Sequence, residues 1–301
     1  EDERPLAGEC RLLFEAREKR IHPHKDDKIL TGWNGLMIAA LAFGSRVLGE
    51  DRYAQAAARA VAFITAKLRR PDGRLLARYR DGEAAYPAYA DDYTYLTWGL
   101  IELFQATHDP AHLELALELT SDLVKYFWDS QQGGLFLYGS DSEELFTRPK
   151  EIYDGATPSA NSVAALNFLR LGRLTGRQDL EDYTIKMFQT FGGNLNLTPM
   201  GHTHFMQAVW WHRSGGIEVT LVGNPQADDL REMLQEVNRP FAPELLLTVK
   251  NGGDGKALEE LMPQVTDRVA VEGRATAYVC TGFACQPPVT DSEALAALVQ
   301  A

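Results

Sequence analysis

The stretch Thr31-Gly32-Trp33-Asn34-Gly35-Leu36-Met37 begins an apolar run that ends at Leu48-Gly49, and the chain repeats this plan twice. Ala90-Asp91-Asp92-Tyr93-Thr94-Tyr95-Leu96 runs on to Thr107, and Pro158-Ser159-Ala160-Asn161-Ser162-Val163-Ala164 runs on to Thr175-Gly176. Each time a polar residue stands fifteen positions before the turn (49 minus 34, 107 minus 92, 176 minus 161). Asn34, Asp92 and Asn161 therefore read as equivalent places in three related helical hairpins. Self-similarity of this kind marks a stacked or closed array of helix pairs.

The connections divide into two kinds. Gly49-Glu50-Asp51, His108-Asp109-Pro110 and Gly176-Arg177-Gln178 are short turns inside hairpins, whereas 71–89 and 128–157 are long stretches between them. In such an array the short turns fall on one face and the long connections on the other. Connections of that length are functional or disordered as a rule, and the aromatic and Gly content here favours order. The polar clusters at the hairpin starts share the long-loop face. Helix N-termini there present free N–H groups and a positive dipole end, so a polar pocket is expected on that face.

Composition narrows the function classes. The 301 residues are 45% hydrophobic and 24% charged, with net charge −12, enough for one large or two medium domains. An acidic chain without a Lys/Arg block is a poor nucleic-acid or anionic-membrane binder. No apolar run reaches the roughly twenty residues of a membrane helix, and Glu1-Asp2-Glu3-Arg4-Pro5 has no apolar leader core. Three Cys suggest a reducing compartment without a disulfide framework, so the expected location is cytoplasmic.

Residues 9–20 read as an amphipathic helix stopped by Pro23, followed by a polar loop. The three hairpins span about 32–69, 91–127 and 159–191, and Gly201 to His212 opens a fourth. Gly133-Gly134-Leu135-Phe136-Leu137-Tyr138 alternates weakly and is expected to be a strand of a small hairpin. After Gly215 the texture changes. Ile217 to Gly223 and Glu244 to Lys250 read as strands around a helix at 225–237, with a third strand at 275–280. Asp291 is a good N-cap for a last helix at 292–300. The predicted organisation is a helical segment 1–214 and a small α/β segment 215–301.

Three longer motifs carry a resemblance. Lys25-Asp26-Asp27-Lys28-Ile29-Leu30-Thr31-Gly32-Trp33-Asn34-Gly35-Leu36-Met37, Arg148-Pro149-Lys150-Glu151-Ile152-Tyr153-Asp154-Gly155-Ala156-Thr157-Pro158-Ser159, and Cys280-Thr281-Gly282-Phe283-Ala284-Cys285-Gln286-Pro287-Pro288-Val289 occur in that order. Together they resemble the spermatogenesis-associated protein 20 family, the YyaL-type thioredoxin-domain-containing proteins, over their C-terminal helical part. The resemblance implies an (α/α) toroid similar to six-hairpin glycosidases and N-acylglucosamine 2-epimerases, and chemistry on carbohydrates. It also implies a thioredoxin-like domain and further hairpins, and no residues here match that domain. Three hairpins and part of a fourth make a partial six-hairpin barrel, so the expectation is either a fragment or a toroid completed by a thioredoxin-like domain or a second copy.

The candidate chemistry sits on the long-loop face. Asp91 and Asp92 precede an apolar helix, so each is either a general acid or base or an N-cap. Glu151 and Asp154 lie in the long loop with Arg148, Lys150 and Tyr153, and a neighbouring cation keeps a carboxylate ionised. The bland alternative is an exposed ion pair and an Asp-Gly turn. Two carboxylates across a sugar are the usual glycosidase arrangement, so Asp92 with Glu151 or Asp154 is the expected acid/base pair. Trp33, Tyr86, Tyr89 and Tyr153 offer flat apolar faces beside Asn34 and Asn161, as ligand pockets do, or they plug the barrel mouth as core.

His22-Pro23-His24 and His202-Thr203-His204 are weak metal signals on irregular chain, so no metal and no cofactor is expected. The resemblance to epimerases, which employ histidines, implies an acid/base role for His202 or His204, and His204 is a substrate-contact candidate. Cys280 and Cys285 are spaced unlike a Cys-x-x-Cys redox motif; a structural role and a reversible disulfide both stay open. Asn251-Gly252-Gly253-Asp254-Gly255 lacks the Lys-Ser/Thr of a phosphate loop and reads as a surface turn. The overall expectation is a mainly α carbohydrate-active protein, an epimerase/isomerase or glycoside hydrolase. The rival is a non-catalytic helical scaffold for a protein partner.

Overall fold

The computed structural model describes residues 4–143, 146–251, 255–282 and 284–299. Eleven α-helices and seven strands are present among them. A lone helix α1 (Arg4–Glu18) precedes the hairpins α2/α3 (Thr31–Leu48, Asp51–Lys67), α4/α5 (Ala90–Thr107, Pro110–Phe127) and α6/α7 (Ala160–Thr175, Gln178–Leu197). A single helix α8 (Thr203–Ser214) follows. The Gly-rich turn expected at 251–255 falls largely outside the described residues.

The turn chemistry explains the hairpins. α2, α4 and α6 end on residues in the left-handed region, Gly49 (φ 67°), His108 (φ 57°) and Gly176 (φ 70°). Each folds its N–H back onto a carbonyl of the last turn, on Ser45, Phe104 and Gly172 respectively. Asp109 then starts α5, accepting Ala111 N–H at 3.0 Å with Pro110 at the first helical position.

These caps shift the repeat register. The turn residue of the second hairpin is His108, so Tyr93 (108 minus 93), not Asp92, stands fifteen before it. The hydrogen bonding agrees with this register. Tyr93 Oη accepts the Leu75 N–H at 3.0 Å, and Asn161 Oδ1 accepts the Leu135 N–H at 2.7 Å. Leu75 and Leu135 are buried in matching turns bridged by Arg69↔Leu75 and Trp128↔Leu135. The expected strand at 133–138 reduces to that one bridge, because Gly133 and Gly134 both sit at positive φ and bend the chain into a turn.

The other long connection does form strands. β1 (Ile29–Leu30), β2 (Leu76–Arg80) and β3 (Glu83–Pro87) make a three-stranded antiparallel sheet, β2 and β3 turning through Asp81 and Gly82 at φ 52° and 83°. Two central residues at positive φ are what a tight two-residue hairpin requires.

The helices α2, α4, α6 and α8 form the inner arc, with α3, α5 and α7 outside. α4 is buried over nearly its whole length. It meets α2 closely: a Cβ on Gly35 would stand 2.5 Å from Leu96 N, and one on Gly99 2.8 Å from Gly35 O. Below the mouth, Glu102 accepts from Arg46 and Arg170, both at 2.7 Å, tying α2, α4 and α6. A Glu buried between two cations is held ionised and below its usual range. This is an (α/α) arc of helical hairpins, a partial toroid. Its terminal helices carry apolar side chains on their open faces, Met37, Phe43 and Val47 on α2 and Met206 and Trp210 on α8.

The tail is a four-stranded sheet ordered β5-β4-β6-β7, from β4 (Ile217–Gly223), β5 (Leu245–Asn251), β6 (Thr276–Thr281) and β7 (Ala284–Cys285). β4 and β5 run parallel through α9 (Asp228–Asn238), and β6 is antiparallel to β4. Helix α10 (Lys256–Leu261) follows β5, and α11 (Ser292–Val299) closes the chain behind Asp291, which accepts Ala294 N–H at 2.9 Å. α9 and α11 bury Leu230, Met233 and Leu295 with Val219 and Leu247 in a core of their own. Leu246, Leu258, Met262 and Val265 pack instead into the helical core. No described helix is long and apolar enough to cross a membrane. Cys280 and Cys285, whose pairing the spacing left open, are disulfide-bonded; directly opposed strand positions bring their Cβ atoms together.

Candidate active site at the N-terminal rim of the inner helices

The inner helices begin together on the long-loop face, and three aspartates join them. Asp92 Oδ1 accepts Gly32 N–H in the first turn of α2 at 2.8 Å. Its Oδ2 accepts Tyr89 N–H at 2.9 Å, completing a capping box on its own helix. Asp154 Oδ1 accepts Ser159 N–H at 2.9 Å, and Oδ2 accepts His204 N–H at 2.8 Å at the start of α8. Asp91 accepts the Ala160 N–H that opens α6. Asp91 and Asp92 thus reach from α4 to neighbouring helices, and Asp154 joins the starts of α6 and α8 from the loop.

Asp91 and Asp92 have perturbed acidities. Burial, then the charge of Glu151, raises Asp91 to about 6, against the opposing pull of Ala160 N–H. Burial raises Asp92 to about 7, against its two N–H bonds. Asp91 is half-buried and Glu151 exposed, so this pair faces the opening. Tyr95, buried in the next turn, donates to Pro158 O; burial pushes its hydroxyl up to about 12, with Asp91, Asp154 and Asp92 adding to the shift.

His204 lies one layer deeper. It is 7% exposed, its ring centroid is 5.0 Å from that of Trp98, and Nε2 is buried without a partner among the described residues. Burial lowers it to about 4, so the imidazole is neutral at neutral pH. His202 instead places Nδ1 2.9 Å from Ile152 O.

The other expected site residues separate. Trp33 and Tyr153 are 67% and 69% exposed on the rim, free to meet a ligand. Tyr89 packs edge-on to Tyr138 and, with Tyr86, lines a cleft of about 510 Å³ with Leu30, Arg78 and Lys28; Asp91, Glu151 and Asp154 do not line it. Asn34 donates to Leu30 O at 2.8 Å, and Asn161 to Leu135 O and Glu151 O. Arg148 donates to Tyr138 O at 2.7 Å over the Phe136 ring. Lys150 pairs with Asp129 at 2.5 Å. Both cations therefore brace the loop rather than neutralising Glu151 or Asp154.

Sequence reasoning missed Tyr95, Trp98 and Glu102. With Asp91 they form an i, i+4, i+7, i+11 stripe on α4, and polar or amphipathic residues at that period in an apolar helix are a readable signal. Among the described residues no group of three or more His, Cys, Asp and Glu is placed to hold a metal ion.

No family model matches the chain. It is 34% identical over 289 residues to human spermatogenesis-associated protein 20, covering 93% of this chain, and 32% identical to the rat protein over the same length. The chain spans about 37% of the length of these curated relatives. Among solved structures it is similar to cellobiose 2-epimerase from Spirochaeta thermophila, with TM-score 0.46 and 18% identity over 55% of this chain and 43% of that one. It is likewise similar to an inactive α-1,6-mannanase variant of Salegentibacter in complex with α-1,6-mannotetrose, with TM-score 0.47 and 15% identity over 79% and 63%. Over the part of those relatives that it spans, the chain belongs to the spermatogenesis-associated protein 20 family.

Proposed function

We propose that the N-terminal rim of the inner helices is a carbohydrate site, and that Asp91 and Glu151 are its acid/base pair. The observation that carries this reading is Asp91, a half-buried carboxyl raised to about 6 beside a second, exposed carboxylate. A catalytic acid or base works best with a pKa near the operating pH, and paired carboxylates at a sugar give one group for each role. Exposed Trp33 and Tyr153 supply flat faces for sugar C–H groups, and His204 Nε2 offers an unused polar atom below them. Asp92 and Asp154 are positioning residues, because their oxygens already hold backbone N–H groups. With Arg148 and Lys150 turned away, the rim suits a neutral sugar better than a sugar phosphate.

Two reaction classes fit. An epimerase or isomerase moves a proton at the carbon beside a carbonyl, and a hydrolase protonates a glycosidic oxygen. Calorimetric titration with neutral mono- and disaccharides, on wild type, Asp91→Asn and Trp33→Ala, tests binding. Incubation in D2O then separates the classes: deuterium at the carbon beside the carbonyl marks the first, new reducing ends the second. A folded chain that binds none of these sugars overturns the reading. The rival is a non-catalytic scaffold that docks a thioredoxin-like domain or other protein. It draws support from the caps on Asp92 and Asp154 and from the exposed apolar face of α2.

A further inference from the structure

The α/β tail carries a second chemically distinct feature, far in sequence from the rim. Cys280 on β6 and Cys285 on β7 are directly opposed and disulfide-bonded. The two sulfurs differ in setting. Cys280 is 3% exposed, whereas Cys285 is exposed. Arg268 donates from Nη2 to Cys280 Sγ at 3.5 Å and from Nη1 to the Thr220 hydroxyl. Glu218, paired with Cys280 across the β4–β6 ladder, is the acidic neighbour of Arg268 and also pairs with Arg173 at 3.4 Å.

We propose that this pair is a thiol–disulfide exchange site for a dithiol, in which Cys285 is attacked and Cys280 leaves. Exchange needs access to the attacked sulfur and a stabilised leaving thiolate. Only Cys285 offers the first, and only Cys280 the second, since a cation at hydrogen-bond distance favours the thiolate. A thiolate of the dithiol attacks Cys285 Sγ. The S–S bond breaks, and its electron pair goes to Cys280 Sγ beside Arg268. The reagent's second thiolate then attacks its own bridging sulfur and displaces Cys285 as thiolate. The dithiol ends as a disulfide, and Cys280 and Cys285 gain two electrons and take two protons from solvent. Attack in the other direction would need entry to a buried sulfur and would release Cys285, which lacks the Arg268 contact of Cys280 among the described residues.

The test uses the whole chain with Cys10→Ser, which removes the exposed third thiol. The protein is treated with dithiothreitol without denaturant, quenched with an alkylating agent and mapped by mass spectrometry, with circular dichroism confirming that it stays folded. The expected result is alkylation of both Cys280 and Cys285 in the folded protein. Glutathione, a monothiol, is expected to leave its adduct on Cys285. Arg268→Gln is expected to slow reduction about threefold to tenfold, and Arg268→Lys to restore most of the rate. Reduction only in denaturant, an adduct on Cys280, or equal rates for the Gln and Lys variants would each overturn the proposal.

Discussion

The carboxylate of Asp92, in the second hairpin, accepts the backbone N–H of Gly32, in the first, at 2.8 Å. Its other oxygen holds Tyr89 N–H, so one side chain ends two helices. Asp92→Ala orphans both donors and is expected to cost about 1–3 kcal/mol, read as a lower urea midpoint at unchanged m-value. Asp92→Asn keeps one acceptor and should fall between. If either variant unfolds like wild type, the residue is free for chemistry and the positioning role is wrong.

Asp91 makes a pH-dependent contribution of defined sign. Its folded pKa, about 6, lies above the ordinary carboxyl value of 3.8, so the folded state holds the proton more tightly. The stability it contributes is full below about pH 4 and is lost as pH rises through about 6. Asp91→Asn is expected to flatten that fall in a series of urea melts between pH 4 and 7. Glu151→Gln should shift the midpoint of the fall to lower pH, since it removes a neighbouring negative charge. An unchanged midpoint in Glu151→Gln separates the two carboxyls and removes the acid/base pair.

His108 holds the turn that Gly49 and Gly176 hold in the other hairpins. It sits at φ 57°, which glycine adopts without strain, and its Nδ1 is buried without a partner among the described residues. Burial, then Arg46, lowers it to about 3. The stability tied to its neutral form is present above about pH 6.5 and lost as pH falls towards 3. His108→Gly is expected to raise neutral-pH stability by about 0.5–1 kcal/mol and to shallow the acid side of the melting-temperature profile. A lower melting temperature at pH 7 would show that the imidazole packs better than its backbone strain costs.

At Gly35 the first hairpin meets the α4 backbone with no side chain between them. Gly35→Ala would press a methyl to 2.5 Å from the α4 backbone, so the helices must part. About 2–3 kcal/mol of destabilisation is expected, measured by chemical denaturation. Gly44→Ala on the same helix meets nothing within 4 Å and should be neutral or stabilising.

Glu102 is the carboxylate that pairs with both Arg46 and Arg170. Glu102→Gln leaves both guanidinium groups without a charge partner there, and breaking a buried ion pair costs about 3–5 kcal/mol. Differential scanning calorimetry should show the loss; a change under 1 kcal/mol would place the triad in water rather than in the core.

Much of this fold is written in local signals. Gly49 and Gly176 mark their turns, Asp109-Pro110 starts α5, and the β-branched run from Ile217 announces the tail sheet. The hairpin through Asp81-Gly82 was equally readable, yet its flanks alternate poorly because both faces of β2 are only half-buried. The site was less legible. Arg148 and Lys150 stand beside Glu151 in sequence, but backbone carbonyls and Asp129 draw them away. Whether a carboxylate caps its own helix or its neighbour's depends on how hairpins stack, and no spacing within one hairpin encodes that. Cys280 and Cys285 became partners through strand register, which five residues of separation leave undetermined.

The inner helices α2, α4, α6 and α8 all point their N-termini at one rim. Each end carries roughly half a positive charge, so side-by-side assembly of four would be self-repelling. Asp91, Asp92 and Asp154 meet that assembly with acceptor oxygens threaded between the helices, although burial makes Asp91 and Asp92 harder to ionise. Much of the acidity at this rim is thereby already matched by the backbone. Glu151 is left as the negative charge that a visitor to the rim would meet in the open.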